Sequence, residues 1–287
     1  MIHLKKAQTS VVISASVSFA LMLFKLVIGL VTGSVALLSD ALDSLTDFLS
    51  MVGSFVGIKI SRKKPSNDFN YGYGKAESIT SFLISLLIIF AAVNLGKMGY
   101  DSFFENKIIE NELIAYVAMI VSIITSVGLS FYLYKKGAEL HNELLIITSK
   151  ERFSDILRGL VVIASIYLNQ AGFPYAQGII SVIICFTVFF IGVKSLALSI
   201  RGLMDGSPDK KITSRILAII KDEKDISSFK NLRLKKSGSY VLGDVEIIVD
   251  KSYSIKQAHD IADHVEKNIK EEFNEIASFI IHVEPNE

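Results

Sequence analysis

Five acidic residues stand in stretches that are otherwise too apolar to hold them. Asp40, Asp43 and Asp47 interrupt the run from Ser34 to Leu49, and Glu151 and Asp155 interrupt the run from Thr148 to Leu157. On a helix, positions 43 and 47 lie one turn apart on the same face, and so do 151 and 155. Carboxylates spaced this way repel each other unless a cation or a proton lies between them. Two such helices set face to face bring four carboxylates together as a first shell for a divalent cation. Ionisable groups at membrane depth are costly, which makes them functional candidates. Plainer readings stand beside this one. Glu151 sits between Lys150 and Arg152, where it can be half of an internal ion pair or part of a helix end outside the hydrocarbon. Asp40 can be a solvated or helix-capping carboxylate near the outer membrane surface. The matched spacing on two helices favours the shared cation site.

The elements that must hold these residues follow from composition. The chain has 287 residues, 51% of them hydrophobic with glycine left out, four prolines and no tryptophan. That is too apolar for an ordinary soluble domain. Runs near the roughly 20 residues needed to cross a bilayer occur at 10–32, 35–58, 78–98, 113–134, 144–168 and 175–198, so six transmembrane helices are expected. The first run is preceded by Lys5 and Lys6 but continues through Ile28, Leu30 and Val31 with no small-residue cleavage site, so it reads as a span and not as a signal peptide. Residues 206–287 hold 13 of the 30 basic and 15 of the 29 acidic side chains, a soluble character that divides the chain into a membrane domain, 1–205, and a second domain, 206–287.

The tail reads as an αββαβ unit: helices at 210–223 and 254–273, strands at 229–234, 240–249 and 277–283, and a hairpin turn around Gly238. This is a three-stranded sheet with helices on one face. About 80 residues give it a modest core, which dimerisation would support. Loop charge orients the whole. Lys59, Arg62, Lys63, Lys64 and Lys75 make one connection basic, as Lys135 and Lys136 make another, whereas the segment 101–112 carries Glu105, Glu110 and Glu112 against Lys107. By the positive-inside rule both termini and the tail face the cytoplasm. Pro65, Pro174 and Pro208 fall in expected loops, and Pro285 closes the last strand.

Other classes are disfavoured. A formal charge of +1 argues against nucleic-acid binding, and the single Cys185 excludes an internal disulfide or a multi-thiolate zinc cluster. Neither a nucleophile with a neighbouring base nor a nucleotide-binding glycine loop is present, so the chain does not read as an enzyme.

Five stretches together resemble the cation diffusion facilitator family: Gly33 to Asp47, Tyr71 to Ser78, the Glu151/Asp155 pair, Gln257 to Asp263 and Ile280 to Pro285. The resemblance covers nearly the whole chain. It implies a homodimeric exporter of divalent metal from the cytoplasm in exchange for protons, in the plasma membrane or the inner membrane of a Gram-negative cell. It also implies a cytoplasmic domain similar to metallochaperones. Metal is then substrate and possible regulator, with no permanently bound cofactor. Asp43, Asp47 and Asp155 match three transport-site positions. Glu151 stands at the fourth, where zinc transporters usually have histidine, so an all-carboxylate site suited to manganese or ferrous iron is expected, with zinc still open.

Further residues carry over from the same resemblance. Lys75 and Asp205 match a charge interlock between the membrane and cytoplasmic halves. His259, His282 and Glu284 match cytoplasmic ligand positions, while Lys230 and Glu246 replace two expected histidines, which leaves a weakened metal site or an ordinary dimer surface. Phe69 and Tyr73 replace the histidines of a loop site, with Asp68 alone nearby, so that site is expected to be absent. Lys25 and Lys97 are expected to snorkel or pair internally. Two other readings stay open, a membrane-anchored metal sensor or scaffold without transport and a monovalent cation/proton antiporter.

Overall fold

A computed structural model describes residues 2–104, 111–140, 143–173, 175–238, 240–273 and 275–286. Glu105, Lys107, Glu110 and Pro174, and the side chains of Lys5 and Lys6, lie outside the described residues. Six long helices come first, α1 (Ile2–Thr32), α2 (Val35–Ser61), α3 (Ala76–Asp101), α4 (Glu112–Leu140), α5 (Glu143–Gln170) and α6 (Tyr175–Leu203). Then follow α7 (Lys210–Asp222), β1 (Ser228–Ser237), β2 (Tyr240–Val249), α8 (Ile255–Glu272) and β3 (Ile276–Pro285). The chain forms two compact units, one of residues 1–52 and 83–195 and one of residues 53–82 and 196–287. The second therefore takes in the ends of α2 and α6 and the start of α3 as well as the tail, where sequence alone draws a single boundary at 205.

Among the described residues, α1, α2, α3, α4 and α6 are long and apolar enough to cross a membrane. Helix α5 is as long, but Lys150, Glu151, Arg152, Asp155 and Arg158 crowd its middle. The helices of the first unit turn large apolar side chains outward, among them Phe90, Ile124, Phe131 and Phe186, and bury serines such as Ser39, Ser85, Ser122, Ser165 and Ser181. Against lipid this arrangement is favourable, since apolar tails solvate the outside and small residues let backbones approach. The contact of α3 with α6 shows how closely. A Cβ added at Gly99 would stand 2.7 Å from the Ser181 hydroxyl, and one at Gly178 would stand 2.9 Å from the Gly99 carbonyl oxygen.

Three sets of contacts fix α2, the helix with most of the acids. Gly33, at φ +67°, turns the chain sharply out of α1 into α2, a conformation that costs glycine little. Ser39 is within 2.6 Å of Ser181, and Ser34 donates to Gln177 Oε1 at 3.1 Å, which ties α2 to α6. Leu37 and Leu42 share a buried core with Met119, Val162, Ile166 and Val188. On the far side, Ser130 donates to the Ser149 carbonyl at 2.8 Å and holds α5 against α4.

The tail keeps the αββαβ order. Sheet order is β1-β2-β3, antiparallel between β1 and β2 and parallel between β2 and β3. Asp209 caps α7 by accepting from the Lys211 amide at 3.2 Å, and Ser254 and Gln257 form a capping box at the start of α8. Both helices lay an apolar stripe on the same sheet face: Ile216 and Ile220 from α7, and Val265 and Ile269 from α8, bury against Val245 and Ile247. Side chains of this size, fully buried, contribute about 1.5–3 kcal/mol each. Strand β1 runs from Ser228 to Ser237, longer than the expected 229–234, because it pairs with β2 as far as the hairpin at Gly238 (φ +61°).

Candidate metal centre

One carboxylate oxygen each from Asp43, Asp47 and Asp155 lies within 4.8 Å of the other two, and among the described residues this is the group of three or more His, Cys, Asp or Glu side chains close enough to hold a metal ion. The helical spacing supplies two of the three: Asp43 and Asp47 are successive turns of α2, and Asp155 enters from α5. Asp43 is buried and Asp155 is nearly so, whereas the Asp47 side chain is 37% exposed. The group thus has a closed end and an open one.

The expected fourth member is elsewhere. Glu151 is exposed and is not part of the group: Ser149 and Arg152 of the same turn are buried, and position 151 falls on the outward side of α5. Two arginines stand at the carboxylates. Arg158 pairs through Nη2 with both Asp43 and Asp155. Arg152 is buried and pairs through Nη1 with Asp155 at 2.9 Å and with Asp47 at 3.8 Å. Residue spacing alone contains a signal for them, since 152, 155 and 158 follow the i, i+3 rule on one helix face. Reading Arg152 as a partner for adjacent Glu151 hid it, as i and i+1 do not face each other on a helix.

Asp40 departs from its expected surface role. It is 1% exposed, and Lys25 of α1 reaches it at 2.7 Å while donating to Ser44 Oγ at 3.2 Å. Lys25 therefore pairs internally, and Asp40 is neither solvated nor a cap, because three residues before Asp43 put it about 60° round the helix, pointing to α1 inside the bundle.

In the second unit, Asp205 ends α6 in a left-handed conformation (φ +56°), with the Gly206 amide returning to the Arg201 carbonyl at 2.8 Å. This turn presents the Asp205 carboxylate to Lys75 Nζ at 3.1 Å, and Lys75 also donates to the Leu203 carbonyl at 3.2 Å. Phe69 and Tyr73 stack on each other at 4.8 Å between centroids.

The tail's expected ligands are not gathered in one place within the chain. Lys230, Glu246 and His282 form one row across β1, β2 and β3 on the sheet face away from α7 and α8. Glu284 meets Lys230 Nζ at 2.7 Å and His282 at 3.8 Å, while Glu246 accepts from Asn231 at 2.9 Å. His259 lies on α8 beside Asp263 at 3.5 Å. The hydrogen bond from Lys230 holds the Glu284 carboxyl below its ordinary value.

Comparison with known proteins adds the family. Residues 11–204 match the family model of the cation efflux transmembrane domain, and residues 208–286 match that of the cation efflux protein cytoplasmic domain. The chain is 28% identical to the manganese efflux system protein MneP of Bacillus subtilis, over 92% of this chain and 91% of that one. It is 26% identical to the cation-efflux pump FieF of Shewanella oneidensis, over 95% and 92% respectively. Solved MamM CTD structures match at 22% identity, over 28% of this chain and all of theirs, with a TM-score of 0.27.

Proposed function

The chain belongs to the cation efflux family, a family of multi-pass membrane transporters, and from that premise we propose that it exports a divalent metal cation from the cytoplasm in exchange for protons. The observation that carries the proposal is the convergence of Asp43, Asp47 and Asp155 from two helices onto a space the size of one ion. Three anionic oxygens that close together need cations or protons among them, and a divalent ion can supply the positive charge. In this reading the ion meets exposed Glu151 first, as the fourth carboxylate, and then passes to the other three. The metal is manganese, ferrous iron or zinc. The all-oxygen set favours the first two, and the resemblance to a manganese efflux protein agrees.

Helix α5 is the sixth span of this proposal, its polar face turned to the carboxylates and its apolar face to lipid. Residues 1–205 form the transport domain and 206–287 a cytoplasmic domain, with both termini in the cytoplasm and two copies of the chain per transporter. Transport proceeds by alternating access: α2 and α5 rearrange against the other helices, the cluster faces outward, and protons compete for the carboxylates and release the ion. The Lys75–Asp205 pair acts as a hinge interlock, and metal held by His259, His282, Glu284 and Glu246 tunes the response of the cytoplasmic domain.

The test is manganese flux into proteoliposomes across an imposed pH gradient. The unmodified chain transports and acidifies the opposite side, and Asp47→Asn abolishes flux while keeping its size-exclusion profile. Metal binding without flux would favour a sensor, sodium flux would favour a monovalent antiporter, and full flux by Asp47→Asn would remove the site.

A further inference from the structure

The arginines at the carboxylate cluster have no role in the scheme above, and their placement is specific. Arg152 and Arg158 flank Asp155 at i−3 and i+3 on α5, so one helix delivers an acid and two cations to the same spot. Arg158 spans Asp43 and Asp155, and Arg152 spans Asp155 and Asp47, so between them the two guanidiniums engage every member of the group. A metal ion bound by the same oxygens must displace them.

Charge makes that displacement balanced. Three carboxylates and two guanidiniums leave one net negative charge, and three carboxylates and one divalent ion leave the same. Adding the ion without moving the arginines would instead leave a net positive charge in a largely buried group, which a medium of low dielectric penalises. A monovalent ion replaces only one arginine's charge, so the exchange discriminates in favour of divalent ions. Geometry makes displacement feasible. Each arginine reaches its two carboxylates through a single Nη nitrogen, without the two-point fork that makes arginine–carboxylate pairs rigid. The Nε of both arginines is buried and has no hydrogen-bond partner among the described residues, so no second contact anchors that edge of the guanidinium. Arg158 is also 30% exposed at its side chain, which gives it somewhere to go.

We propose that Arg158 and Arg152 are tethered counter-cations that exchange with the transported divalent ion at Asp43, Asp47 and Asp155, and thereby set how tightly the ion is held and how readily it leaves. This rests on the transport-site reading of that cluster. It differs from a structural role in the sign of its consequence. Removing a merely structural arginine weakens metal binding by disordering the site, whereas removing a competitor strengthens it.

The experiment is manganese binding by isothermal titration calorimetry to the purified full-length protein in detergent, with flux into proteoliposomes measured in parallel. Arg158→Met is expected to tighten Mn2+ binding by about tenfold or more, as loss of one nearby unit charge would give, and to slow flux at saturating metal through slower release. Arg158→Lys keeps the charge and should stay near the unmodified affinity. If Arg158→Met does not fold, Arg152→Gln carries the test with the same expected sign. Unchanged or weaker Mn2+ binding in every folded variant overturns the inference. The transport-site reading fails separately, if the unmodified protein binds no Mn2+ or if flux survives Asp47→Asn combined with Asp155→Asn.

Discussion

Acidic and basic side chains meet in two regions of this molecule, and the surroundings give them opposite weight. In the helical unit, Arg152 and Asp155 are 6% and 10% exposed, and in the tail Lys230 and Glu284 are 49% and 35% exposed, although the nitrogen–oxygen distances, 2.9 and 2.7 Å, are nearly the same. Exposed pairs gain little, because water screens them and side-chain freedom is lost in making them. Buried charges cost so much to desolvate that removing one partner leaves the other stranded. Distance therefore does not distinguish the two sites, and burial does. An acid retained inside the bundle needs a cation opposite it or a proton on it, which is what a site for exchanging cations must provide.

Four substitutions test that contrast. The largest effect belongs to Asp155→Asn, which removes the carboxylate shared by both arginines; metal flux in proteoliposomes should vanish, and measurable flux would place the transport path elsewhere. Next is Lys25→Met, which strands Asp40 inside the first unit. A buried pair broken on one side costs on the order of 3–5 kcal/mol, read as a large drop in thermal midpoint, and Lys25→Met with Asp40→Leu together should recover most of it. Glu151→His comes third, since the residue is exposed and meets the ion at the margin of the group. It should shift metal preference toward zinc and introduce pH dependence near neutrality, and an unchanged preference in a competition panel would remove Glu151 from the path.

The smallest effect is at Glu284. Its carboxyl titrates below the ordinary 4.5 in the folded chain because Lys230 donates to it. A depressed folded value means the contribution is present above 4.5 and is lost as pH falls through the lower folded value. The thermal midpoints of Glu284→Gln and the unmodified chain should thus differ slightly near neutrality and converge in acid. A difference as large as that of Lys25→Met would break the comparison.

Much of this was readable before any coordinates. The apolar runs locate the helices because spanning a bilayer demands length and grease together, and α1 to α4 and α6 meet that demand. The tail's order of helices and strands was readable from its periodicity, as was the turn at Gly238, whereas Ser254, expected as the first helical residue, caps α8 instead. Asp43 and Asp47 share a face for reasons internal to one helix. Arg152 and Arg158 were equally readable by spacing from Asp155, but adjacency to Glu151 drew Arg152 toward the wrong partner.

Sequence by itself determined what each helix offers: which side chains share a face, which end is charged, and that acids sit where water is scarce. Tertiary structure decided who receives them. Whether Asp40 faces water or Lys25, and whether the acidic group holds Glu151 or two guanidiniums, depends on the rotation and height of α1, α2 and α5 against one another. Those are set by contacts far apart in the chain, such as Ser34 with Gln177 and the buried core that Leu37 and Ile166 share, and a helical period carries no information about them.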